Sequence, residues 1–100
     1  MKTEYEIYMN FKKAEAEANK LRSIARSMKS LADDDFEGTL GRIKKNWTGE
    51  NSDAFVAKAR IVKDKISDTS ADIQRVADTI IRIAERTRKA ELDAINVAKA

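Results

Sequence analysis

Apolar and polar positions alternate with a helical period through almost the whole chain. The second half is the clearer one. Apolar or small residues recur at Phe55, Ala59, Val62, Ile66, Thr69, Ile73, Val76, Ile80, Ile83, Thr87, Ala90, Ala94 and Val97. The steps alternate four and three over about six heptads, with charged side chains between them, which predicts one long amphipathic helix over about 52–97. Val56, Ala77 and Ala84 lie beside this seam and widen it. Period-two alternation, the mark of a strand, is missing from the stretch.

The first half carries a similar seam through Phe11, Ala14, Ala18, Leu21, Ala25, Met28 and Ala32, broadened by Ile24 and Leu31. It resumes at Phe36, Leu40, Ile43 and Trp47, but the step from Ala32 to Phe36 is four where three was due. The seam therefore slips phase. Asp33-Asp34-Asp35 sits at the slip, and Gly38 and Gly41 follow it. Each glycine weakens a helix by roughly 1 kcal/mol relative to alanine. A helix over about 4–46 is expected, with a kink, a looser turn or a short break within 33–41. Ser30 or the acidic triplet could cap a new segment there.

Stop and start signals cluster at 47–51. Lys44 and Lys45 suit the negative end of a helix dipole. Gly49 suits the position just past a helix C-terminus, and Asn51 or Ser52 suits the N-cap of the next helix, with Asp53 in its first turn. So short a connection makes the helices antiparallel neighbours. The expected fold is all-α, a single antiparallel helical hairpin over residues 1–100. Two long helices alone enclose no core, and the widened seams call for a further neighbour. Pairing of two hairpins into a four-helix bundle is expected, as a homodimer or a heterodimer.

Composition narrows the chemistry. The 100 residues include no Cys, His or Pro and only three Gly. There is no disulfide framework, and the usual parts of a zinc site or a histidine-activated nucleophile are missing. No Gly-rich phosphate loop occurs, and the acidic triplet lacks the alternating ligands of a calcium loop. No metal, cofactor or catalytic residue is expected, and an enzyme is the least favoured class. Residues 1–46 hold ten basic and eight acidic side chains, and 47–100 hold ten and nine. So even a balance argues against nucleic acid as the partner, in spite of the net charge of +3. The start lacks the apolar run of a signal peptide, and no run is long enough to insert in a membrane. A soluble chain is expected, cytoplasmic before any export, and export would need a route without a cleaved signal.

Taken together, the length, the two amphipathic helices and Trp47-x-Gly49 near the middle resemble the WXG family of hundred-residue helical hairpins. The run from Trp47-Thr48-Gly49 through polar residues to Ala54-Phe55 has the family's form, and Ile43 lies one turn before the tryptophan. The resemblance covers the whole chain. It implies a role in type VII (ESX-type) secretion in Gram-positive bacteria, as substrate or as targeting and co-export partner of a larger effector. The implied partners are a second helical hairpin or an effector's N-terminal helices, and the secretion machinery. Trp47 then either holds the turn as a core-edge aromatic or meets a receptor, and the two roles are compatible. Family members or their partners carry a C-terminal Tyr-x-x-x-Asp/Glu export signal. Here Thr87 stands where the tyrosine would be and Glu91 keeps the acid, so the resemblance implies a signal supplied in part by a partner. Glu91 is otherwise read as a solvated helix charge. The alternatives from other classes are a cytosolic coiled-coil or chaperone-like protein and a nucleic-acid-binding helical protein.

Overall fold

A computed structural model describes residues 2–47 and 49–100. The fold is all-α, an antiparallel helical hairpin, with no strand among the described residues. In order, α1 spans Glu4–Ser30, a π-helical turn spans Leu31–Phe36, α2 spans Glu37–Asn46 and α3 spans Glu50–Lys99. Two compact units are distinguished along it, residues 1–22 with 74–100 (unit 1) and residues 23–73 (unit 2).

The start of α1 is a local sequence signal. The Glu6 N–H donates to Thr3 Oγ1 at 3.1 Å, and the Ile7 N–H to the Thr3 carbonyl at 3.1 Å. Thr3 thus satisfies two of the amide groups that a helix start leaves without partners. In unit 1, Arg22 pairs with Asp78 at 2.9 Å, Lys2 with Glu91 at 3.2 Å and Lys99 with Glu4 at 3.1 Å. Arg22, towards the far end of α1, meets α3 at Asp78, while Lys2 and Glu4 at the chain start meet it near its end, at Glu91 and Lys99, which is the antiparallel arrangement. The centre of the unit holds Ile7, Ala18, Ala77 and Ile95, all buried.

Unit 2 packs through Ala25, Ala32, Leu40, Val56 and Ser70. The buried Ser70 hydroxyl donates to the Ala25 carbonyl at 2.7 Å, so a polar atom in the contact is satisfied by the neighbouring backbone. Small side chains at both positions let the two backbones come this close. Glu37 takes Arg60 at 2.8 Å and Lys63 at 3.2 Å. These two cations, the Lys63 hydrogen bond foremost, hold its carboxyl below the ordinary value of 4.5 and outweigh its partial desolvation. A depressed carboxylate contributes stability above its unfolded pKa and loses it as pH falls through the folded one. Wild type is therefore expected to lose more stability than Glu37→Gln between neutral pH and the acid side of 4.5. Parallel urea titrations of both chains, whose difference should shrink with acid, check this.

The π turn explains the phase slip. Continued α geometry past Ala32 would bring Asp35, Thr39 and Arg42 onto the side that faces α3. A π turn accommodates one residue more per turn and brings Phe36, Leu40 and Ile43 there instead. The irregularity starts two residues before the expected 33–41 window and ends at Phe36, while Gly38 and Gly41 stay in regular α-helix. Neither Ser30 nor the triplet caps a new segment. Ser30 is itself helical and makes no side-chain cap bond, because the helix bulges here without ending.

Candidate functional site

The turn is built from the C-terminus of α2. The Trp47 N–H donates to the Ile43 carbonyl at 2.8 Å, and the Trp47 backbone then swings to an extended conformation. Thr48 lies outside the described residues. Gly49 has a φ of +124°, a region that L side chains rarely adopt. Its carbonyl accepts the Asp53 N–H at 3.1 Å and the Ser52 hydroxyl at 3.0 Å. The next helix therefore begins at Glu50, not at 52, and the expected N-cap at Asn51 or Ser52 is replaced by the Gly49 backbone. Ser52 is instead within the first turn of the helix and buried, held by that bond. The Trp47 ring reaches Phe55 with centroids 6.2 Å apart and planes tilted by 49°, within the range of favourable aromatic pairs. Both rings stay about half exposed.

On α3 the helix divides its apolar residues between two adjacent rows. Val56, Lys63, Ser70, Ala77, Ala84 and Glu91, spaced by seven, are buried or half-buried. Phe55, Val62, Val76 and Ile83, one residue earlier in each heptad, are between 49% and 56% exposed. One residue is a rotation of about 100°, so the second row stands beside the intramolecular contact. Ile66, Ile73 and Ile80 lie between the rows and are half-buried. The expected seam is thus the shared edge plus the uncovered row. At Ser70, Ala77 and Ala84 small side chains let the backbones approach, while Lys63 and Glu91 carry their charged ends out to Glu37 and Lys2. In the first half the expected positions Phe11, Leu21, Met28, Phe36 and Ile43 are half-buried and Leu40 is buried.

Each unit has an open apolar groove beside the contact. The one in unit 1, about 290 Å³, is lined by Ile7, Phe11, Ala14, Ile80, Ile83 and Thr87 among others. The Arg88 guanidinium lies 4.0 Å from the centroid of the Phe11 ring there, a cation–π contact. The one in unit 2, about 280 Å³, is lined by Leu31, Asp35, Phe36, Ile43, Phe55 and Ala59 among others. Thr87 is exposed at the edge of its groove, whereas Glu91 is half-buried and holds Lys2. The two residues of the degenerate signal are therefore not presented alike. Sequence reading missed the Thr3 cap, although Thr3-x-x-Glu6 is a capping-box spacing. It also missed the roles of Ser70, Lys63 and Glu91 in the contact, because an apolar periodicity passes over polar residues.

Among the described residues, no group of three or more His, Cys, Asp or Glu is placed to hold a metal ion, and no helix is long and apolar enough to cross a membrane. Comparison with protein-family models, with curated proteins and with solved structures finds no match.

Proposed function

We propose that this chain is a helix-pairing protein of the WXG type in type VII secretion, an exported substrate or a targeting and co-export partner of a larger effector. The observation that carries the reading is the row Phe55, Val62, Val76 and Ile83. Four large apolar side chains at heptad spacing stay about half exposed on a helix already paired on its neighbouring side. A row of this kind is what a partner helix covers. The tight turn at Trp47 and Gly49 supports the family part of the reading. The engagement of Glu91 by Lys2, with threonine at 87, supports a signal supplied by the partner and not by this chain alone.

Pairing is tested in solution. The purified chain, alone or co-expressed with the product of the adjacent gene, is expected to have a mass well above the 11.3 kDa of one copy. Val62→Glu, Val76→Glu and Ile83→Glu together should return it to that mass with unchanged helical content, since half-exposed positions tolerate charge. Export is tested by comparing culture supernatants with and without the secretion ATPase. Material confined to the cytosol, with no helical partner on pull-down, overturns the proposal.

A further inference from the structure

The π turn and the acidic triplet have a role that simple continuity of the helix would not require. Removing any one of Asp33–Asp35 would leave Ala32 followed by apolar residues at unbroken four-three spacing, as a continuous α-helix needs. The chain instead carries a π turn and three like charges in a row. Local departures of this kind mark places where a surface is being shaped.

The surface here is the groove of unit 2. Leu31 and Phe36, the first and last residues of the π turn, line it together with Ile43, Phe55 and Ala59. The three carboxylates are not equivalent. Asp33 pairs with Lys29 at 3.1 Å, and Asp34 accepts the Ser30 hydroxyl at 3.1 Å. Asp35 is exposed, and no hydrogen bond or ion pair among the described residues engages its carboxylate. It is the only charged side chain among the described residues that line the groove. An apolar slot with one free carboxylate on its wall favours an apolar side chain with a cation close by and disfavours one beside an acid.

The chain itself carries that chemistry. On its uncovered row, Phe55, Val62 and Ile83 are each followed three residues later by a cation, Lys58, Lys65 and Arg86. Residues three apart are neighbours on a helix surface. All three cations are exposed. We propose that the π-turn groove is a docking site for α3 of a second copy of this chain, with an apolar residue of the row seated in the groove and the cation one turn on paired with Asp35. The proposal rests on the helix-pairing reading and narrows it, because it names the partner as the chain itself and the charge that selects it.

Sedimentation equilibrium of the full chain and its variants tests this. Wild type is expected to self-associate, and Asp35→Lys to weaken association about tenfold or more, by losing one charge pair and gaining a like-charge contact. Adding Lys58→Asp, Lys65→Asp or Arg86→Asp to Asp35→Lys reverses both partners, and one of the three is expected to recover most of the loss. Deletion of Asp34 should keep helical content and thermal stability while also weakening self-association. Asp35→Asn, nearly isosteric, carries the same expectation at smaller size should the lysine variant fail to fold. Unchanged association in Asp35→Asn and Asp35→Lys, or no recovery with any of the three charge swaps, overturns the proposal. A wild-type chain that pairs only with another protein overturns it too, while leaving the helix-pairing reading intact. A chain that pairs with nothing overturns both.

Discussion

Ala77→Leu is expected to lower the thermal midpoint by roughly 4–24 °C. Ala77 has no exposed surface, and neither has Ala18 in the same unit. Both belong to the rows at which the helices touch. The open groove of unit 1 is lined by Ala84 and Glu91 of the Ala77 row but by neither Ala77 nor Ala18, so a leucine at 77 does not open into it. Overpacking of this kind costs about 1–3 kcal/mol, and in a chain of 100 residues each kcal/mol moves the midpoint by roughly 4–8 °C. Two effects oppose each other, since leucine also adds apolar area. That gain is at most about 1–2 kcal/mol and is realised only where the side chain fits. Ala71→Leu, on the exposed side of the same helix, is the control and should move the midpoint little. Equal midpoints for the two variants, followed by circular dichroism, would show that helix spacing is not set by the small row.

Gly49 should discriminate between mirror-image residues. Its φ of +124° is the only positive one among the described residues, and an added Cβ would meet nothing within 4 Å. Space is therefore not the constraint, and backbone conformation is. L-Alanine at this position is expected to cost about 1–3 kcal/mol, and the strain is relieved if the turn straightens. A straightened turn would let the two helical arms pair with those of another copy, as in domain swapping. D-Alanine, introduced by chemical ligation, favours positive φ and should preserve both stability and mass. Indistinguishable urea midpoints for the two ligated proteins would remove backbone strain as the reason for glycine here.

The helices and the turn were legible in the sequence because they follow from periodicity and end signals. The phase slip at Ala32–Phe36 was legible as a place but not as a kind. Gly38 and Gly41 suggested a looser helix downstream, and the tertiary contacts of Phe36, Leu40 and Ile43 prevailed over that local preference. The division of α3 was not legible. An apolar count favours Val62 over Lys63 and Val76 over Ala77, whereas the contact takes positions that are small, as at Ser70, Ala77 and Ala84, or that reach an ion pair, as at Lys63 and Glu91. Ser70 is the clearest instance, a polar residue in the contact because Ala25 offers it a carbonyl. Lys63 and Glu91 likewise reach partners across the pair, Glu37 and Lys2, that no spacing along one helix can reveal. At the turn, the glycine was read as the end of one helix, and its carbonyl also begins the next.

The single tryptophan of the chain stands in unit 2, beside Phe55 and about half open to solvent. Its indole is an emitter already installed next to a candidate docking groove. A partner that covers Phe55 should shift Trp47 fluorescence to shorter wavelength and slow its quenching by acrylamide. With no second tryptophan to mask it, that emission offers a label-free titration of whatever settles near the turn.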